Sequence, residues 1–271
     1  MTSLHDKKIL AIITGSSRGI GKEIALQVSE TCKDGSVIIL HSRSIANVKK
    51  TMTEIMQRRP RVSVLLWCCD LAKLEVGGLG AEIDGAYRCN VSAGPGRSAS
   101  ATFDVTALFH NAGTLSDMKI GTRDVTSVET VRDYMDINLT SFMLINSVFL
   151  KHTSTSIAGI RVIVNITSLL AVHGRPAFGL YAAAKAAREG YLRVLAAENP
   201  SVRVLNYSPG PVATDMMKEI QDAARDPAIG RDLAIETWTP LTPTQSIQKL
   251  MILLERNDWL DGAHIDYYDI D

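Results

Sequence analysis

The stretch KILAIITGSSRGIGKEIALQVSETC, from Lys8 to Cys32, decides how the rest of the chain reads. Lys8 to Thr14 is a continuous apolar run, as a strand buried on both faces requires. Beyond it the apolar spacing changes, and Ile20, Ile24, Ala25 and Val28 fall on one helical stripe. Between the two lies TGSSRGIG, with glycines at 15, 19 and 21. Glycines at a strand-to-helix junction permit a tight turn, and the free N–H groups of a helix start attract phosphate. The loop therefore predicts a nucleotide site formed by Gly15, Ser16, Ser17, Arg18, Gly19, Ile20 and Gly21.

The same alternation continues. Strands are predicted at Ser36–Ser42, Arg61–Asp70, Phe103–Gly113, Ile160–Ser168, Val202–Gly210 and Gly262–Tyr268. Helices are expected at Ile45–Arg58, over a long stretch from Val125 to His152, and from Leu180 to Glu198. LAKLEVGGLGAEIDGAY reads as a helix broken near Gly77, Gly78 and Gly80, and VSAGPGRSASA (Val91–Ala101) as a flexible loop. The pattern predicts one doubly wound α/β (Rossmann) domain over residues 1–271. Its seven-stranded, mostly parallel sheet would carry helices on both faces. Residues 213–242 follow strand six at the carboxyl edge, where a substrate lid is expected.

Apolar residues make up 46% and charged residues 21%, with Lys+Arg equal to Asp+Glu at 29 each. Such a balance offers no electrostatic argument for nucleic acid or an anionic membrane. No segment has the length of a bilayer span, and the first apolar run ends in glycine without a cleavage pattern, so a cytoplasmic protein is expected. Cys32, Cys68, Cys69 and Cys89 form no C-x-x-C and no His pair has ligand spacing, which predicts free thiols and no metal. The N-x-[ST] triplets at Asn90, Asn138 and Asn165 are not read as glycosylation sites.

Strand two ends His41-Ser42-Arg43-Ser44, without the carboxylate that would bind the adenosine ribose of NAD. Arg43 and Arg18 could instead grip a 2′-phosphate, which favours NADPH/NADP+. Further on, LYAAAKAAREGY places Tyr181 and Lys185 one helical turn apart. Taken alone, that pair suits a half-buried tyrosine and a snorkelling lysine.

Together, TGSSRGIG, Asp70-Leu71, Asn111-Ala112-Gly113, Asn138, Ser168, Tyr181-x-x-x-Lys185 and Pro209-Gly210 resemble the short-chain dehydrogenase/reductase family in order and spacing. The resemblance implies that Tyr181 donates the proton in carbonyl reduction. Lys185 would lower the phenol's pKa and hold the nicotinamide ribose. Ser168 would hold the carbonyl oxygen and Asn138 a relay water, while the family pattern gives His173 no role. It also implies adenine contacts at Asp70 and Leu71, a groove along Asn111, Ala112 and Gly113, and a 2′-phosphate end at Arg43 and Ser44. The nicotinamide end would lie at Pro209, Val212, Thr214, Asp215 and Met216. Within the family, VRVLNYSPGPVATDM (Val202–Met216) and DGAHIDYYD (Asp261–Asp269) look most like members that reduce side-chain carbonyls of pterins. That likeness implies Asp266 as a two-pronged acceptor for the pterin N3–H and amino group, with Leu169 and Gly210 beside it. A homodimer packed through the Tyr181–Glu198 helix is implied as well. The rivals are a generalist reductase of small dicarbonyls and a catalytically silent NADP(H)-binding regulator.

Overall fold

The structure, a computed structural model, describes residues 3–91, 103–153, 158–224 and 239–271. Seven strands form one sheet: β1 (Ile9–Ile13), β2 (Val37–Ser42), β3 (Ser63–Cys68), β4 (Phe103–His110), β5 (Ala158–Ile166), β6 (Val202–Ser208) and β7 (Ala263–Asp266). Their order is β3-β2-β1-β4-β5-β6-β7, and every pairing is parallel. The chain moves outward from β1 to one edge, then returns to β4 and moves outward to the other. The reversal leaves a crevice between the carboxyl ends of β1 and β4, directly above the glycine loop.

Side-chain alternation assigns each strand residue to a face. On β1, Ile9, Ala11 and Ile13 join a core with helices α1 (Gly19–Thr31), α2 (Ile45–Arg58) and α8 (Pro243–Arg256). Leu10 and Ile12 join the opposite core with α3 (Val76–Val91), α5 (Ser141–His152) and α6 (Gly179–Glu198). Two helices complete the described set, α4 (Val128–Met135) and α7 (Asp215–Ala224).

One helical expectation is corrected. Helix α3 runs unbroken through Gly77, Gly78 and Gly80. Each glycine costs about 1 kcal/mol in a helix, but burying Leu79 and Ile83 contributes about 1.5–3 kcal/mol apiece. The long helical stretch expected from Val125 to His152 is helical from Val128 onward, α4 and α5 being joined without a gap by a π-helical turn, Asp136–Thr140, that carries Asn138. The Val91–Ala101 loop, beyond Val91, and the middle of the 213–242 segment lie outside the described residues. The two ends of that segment meet, since Val212 bridges Leu241 and the Ala213 N–H donates to the Leu241 carbonyl (2.8 Å).

Two buried histidines make stability depend on pH. Desolvation lowers the pKa of His41 to about 4, and burial lowers His110 to about 3. An unfolded histidine titrates near 6.5, so between these values the unfolded chain binds more protons and stability falls as pH falls. The loss begins near pH 6.5, is complete near the folded values, and is on the order of 3 kcal/mol for His41 and about 5 kcal/mol for His110. Urea midpoints measured from pH 7 to pH 4 should drop accordingly. His41→Gln and His110→Gln should each flatten that slope, and an unchanged slope in both would remove the account.

Candidate active site

The glycine loop is held in shape by the strands on either side. Gly15 and Gly19 have positive φ, at 68° and 55°. The His41 ring accepts the Gly15 N–H at Nδ1 (3.3 Å), and its Nε2 meets the Cys69 carbonyl (3.2 Å). That arrangement fixes the proton on Nε2. Ser16 is buried and donates through its N–H and hydroxyl to the His41 carbonyl (2.9 and 3.0 Å), so its side chain serves the loop itself. Asn111 Nδ2 donates to the carbonyls of Thr14 and Gly15 (3.0 Å each), tying the end of β4 to the loop.

Helix α1 starts at Gly19 with no side-chain cap from Arg18, which leaves its first N–H groups available to an anion. That uncapped start, with the positive-φ glycines, fits a dinucleotide pyrophosphate. Ser17 and Ile20 flank it, partly exposed. Arg18 pairs with Asp215 (3.0 Å), both side chains being largely exposed. Arg43 is exposed at the end of β2. Ser44 caps α2 by accepting the Asn47 N–H, and Asp70 caps the turn that begins at Leu71 by accepting the Ala72 N–H (3.1 Å). Leu71 is buried, while Thr214 caps the start of α7 by accepting the Met217 N–H (3.3 Å).

The second group of candidates gathers where β5 ends and α6 begins. Tyr181 sits in a small apolar cluster with Met118, Phe178 and Ile220, with Met216 packed against it. Burial raises its pKa, while a hydrogen bond with the Ser168 side chain and the nearby Arg188 charge pull it down. Lys185 Nζ lies 5.6 Å from the Tyr181 ring centre and donates to the Ile166 carbonyl (2.6 Å). Burial and the Arg188 charge push the Lys185 pKa well below its ordinary value, although Glu189 opposes this.

Asn138 is buried and its side chain is fully engaged. Oδ1 accepts the Thr114 N–H (2.9 Å), and Nδ2 donates to Thr114 Oγ1 and the Tyr134 carbonyl (3.1 and 3.0 Å). Both amide protons are used, so a water could reach this side chain only through the remaining capacity of Oδ1. A Cβ on Gly113 would lie 3.1 Å from that Oδ1. Leu169 and His173 are exposed beyond Ser168.

Asp266 ends β7, paired with Ser208 at the end of β6 beside Pro209 and Gly210. It is 8% exposed. Oδ2 accepts the Ser208 hydroxyl (2.5 Å) and Oδ1 accepts the Tyr268 N–H (3.1 Å). Gly210 has φ 71°, and a Cβ there would lie 3.0 Å from Leu241.

Sequence reasoning missed the charged residues beneath this surface. Glu189 is buried, accepting the Thr167 hydroxyl (2.6 Å) and facing His264 Nδ1 (2.8 Å), which raises the pKa of His264. Arg188 is also buried, with Nε donating to the Asn138 carbonyl and Nη2 to the Ala112 carbonyl (3.2 Å). A signal was present: in KAARE both residues fall three and four positions after Lys185, on the face that Tyr181 and Lys185 already mark as buried.

Among the described residues, no cluster of His, Cys, Asp or Glu is placed to hold a metal ion, and no helix is long and apolar enough to cross a membrane. A family model described as short chain dehydrogenase matches residues 79–225. Sepiapterin reductase of Rattus norvegicus is 33% identical over 263 residues, covering 96% of this chain and 97% of its own. The Bos taurus sepiapterin reductase is 34% identical, covering 97% and 95%. Among solved structures, a short chain dehydrogenase from Shigella flexneri complexed with NADP aligns with a TM-score of 0.73 at 23% identity, covering 99% and 100%. An L-sorbose reductase from Gluconobacter frateurii complexed with NADPH and L-sorbose aligns at 0.74 and 23%, covering 98% and 96%. With the glycine crevice, the Ser168–Tyr181–Lys185 group and relatives matched along nearly its whole length, the chain belongs to the short-chain dehydrogenase/reductase family and is an oxidoreductase of that family.

Proposed function

We propose that this chain reduces side-chain carbonyls of a pterin with NADPH, converting sepiapterin to dihydrobiopterin and 6-pyruvoyl-tetrahydropterin to tetrahydrobiopterin. The observation that carries the reading is the common edge. Ser168 caps the turn that follows β5, Asp266 ends β7 on the same carboxyl edge of the sheet, and Tyr181 reaches Ser168 from α6. A carbonyl acceptor and a ring-binding carboxylate could then face one ligand, as the likeness to sepiapterin reductases suggests. NADPH, held by the glycine loop with Arg18 and Arg43 near its 2′-phosphate, would supply the hydride. Lys185 and Thr214 would line its nicotinamide end.

The chain's own residues manage the proton. Burial keeps the Tyr181 phenol protonated at neutral pH, the form that a reductase needs. Ser168 donates to the carbonyl oxygen while charge builds on it, and Tyr181 then protonates the alkoxide. Residues 213–242 form the lid of this reading, with α7 placing Ile220 against Tyr181. Cytoplasmic location and a homodimer across α6 belong to the same proposal; Val194 on that helix is an exposed apolar residue.

The test follows the loss of sepiapterin's visible absorbance with NADPH and NADH in parallel. Fast loss with NADPH and slow loss with NADH is expected. Equal rates would overturn the roles of Arg18 and Arg43. Asp266→Asn should raise KM for the pterin by at least tenfold, about 1.4 kcal/mol, and leave a small diketone unaffected.

One observation favours a second reading, a generalist reductase of small dicarbonyls. Both Asp266 oxygens already receive protein donors, which leaves the carboxylate only part of its capacity for a pterin. In that case Asp266→Asn would change pterin and diketone turnover alike.

A further inference from the structure

Glu189 is 1% exposed, two turns beyond Tyr181 on α6. Its Oε1 takes two donors, the Thr167 hydroxyl (2.6 Å) and His264 Nδ1 (2.8 Å). Oε2 lies 3.9 Å from the guanidinium of Arg193, which is largely exposed. Thr167 immediately precedes Ser168, and His264 stands two residues before Asp266 on β7. Alternation along the strand puts His264 and Asp266 on one face of it. His264 Nε2 is buried and has no hydrogen-bond partner among the described residues, so the bond to Glu189 orients the ring. Helix and strand also run in step. A Cβ on Gly262, just before β7, would lie 3.3 Å from Arg193 Cα, so α6 rides close on the strand there. From Arg193 to Glu189 the helix advances about 6 Å, and from Gly262 to His264 the strand advances about 6.6 Å. Both lead toward the carboxyl edge of the sheet, and one more step of each leads to Lys185 and Asp266.

We infer that Glu189 is a positioning residue: its carboxylate ties the turn carrying Ser168 to the strand carrying Asp266, and so sets the spacing between the carbonyl acceptor and the ring-binding acid. The inference deepens the proposed reductase reading and rests on Ser168 and Asp266 having the roles given there. A carboxylate suits the position because one of its oxygens can accept two donors at once. Bonds to an ionised acceptor are also about twice as strong as neutral ones. A buried carboxylate is costly unless it is paired and hydrogen-bonded, a cost that packing by a leucine would avoid. Thr167 and His264 supply those bonds from two different strands, one on each side of β6.

Two arms from one oxygen give two separable effects. Thr167→Val cuts the arm to Ser168 and should act mainly on kcat, lowering it roughly tenfold. His264→Leu cuts the arm to β7 and should act mainly on KM for the pterin, raising it about tenfold. Glu189→Leu should do both, whereas Glu189→Gln, whose Oε1 still accepts, should stay within a few-fold of wild type. A second readout needs no turnover. Thr167→Val and His264→Leu should be non-additive in chemical denaturation, by about threefold or more in the unfolding constant, and additive in a Glu189→Leu background. Should Glu189→Leu fail to fold, the single and paired changes at Thr167 and His264 decide alone. Equal shifts of kcat and KM in every variant, or additivity with Glu189 in place, would overturn the inference. A wild-type protein that reduces no pterin would instead remove the proposed function, and the denaturation cycle would still decide whether Glu189 joins the two strands.

Discussion

Tyr181→Phe is expected to lower kcat for carbonyl reduction by about 10²–10⁴, the range of a positioned general acid. The ring stays in its cluster with Phe178 and Met118, and the change removes one oxygen whose partner is Ser168. Stability should therefore fall by no more than about 1 kcal/mol. Nucleotide affinity, read by the fluorescence of bound NADPH, should remain within a few-fold of wild type. KM for the carbonyl should change little, because the proton is needed in the transition state and not for docking. A variant that turns over at the wild-type rate would leave Tyr181 as a packing residue and transfer the search for an acid elsewhere. Loss of nucleotide binding together with turnover would mean that the phenol shapes the cofactor site.

The second large effect is steric. A Cβ on Gly21 would lie 2.3 Å from the Gly15 carbonyl oxygen and 2.4 Å from Asn111 Nδ2. Neither neighbour can swing away: one is backbone, and the other already holds the Thr14 and Gly15 carbonyls. Gly21→Ala must therefore push α1 off the loop or break the Asn111 bonds. A loss of about 1–3 kcal/mol in unfolding free energy follows from overpacking of this kind. NADPH affinity should weaken by roughly a hundredfold, since the helix start and the loop no longer converge on one phosphate position. Gly85→Ala in α3 is the matched control. Nothing lies within 4 Å of a Cβ there, and a helical alanine should stabilise by about 0.5–1 kcal/mol. Chemical denaturation of the two variants beside wild type checks both signs. A Gly21→Ala protein with wild-type stability and affinity would show that the loop relaxes freely.

The parts of this molecule legible in the sequence are those set by local pattern. A run such as Lys8–Thr14 admits one reading because apolar side chains on both faces suit a central parallel strand. The glycine loop was legible because φ values near 60° at Gly15 and Gly19 exclude most other residues. Ser168, Tyr181 and Lys185 were legible as a spaced set, and the structure does bring them together. What escaped was decided by long-range packing. The glycines of α3 read as a break because propensity is local, whereas Leu79 and Ile83 are held by a distant core. The partners of Arg188 escaped because the Ala112 and Asn138 carbonyls that close on it lie far away in the chain. Asp266 was found as a residue, but its bonds to Ser208 and Tyr268 depend on strand register that no single segment encodes.

Strand β7 consists of four residues with one neighbour, β6, and follows every other strand in the chain. During synthesis the glycine loop, the β4 end and α6 all leave the ribosome before it does. The nucleotide crevice between β1 and β4 can close while the strand carrying Asp266 is still unmade. The order of translation thus separates the two halves of the reaction in time: the nascent chain gains what it needs to hold a cofactor first, and what would recognise a substrate only at the end.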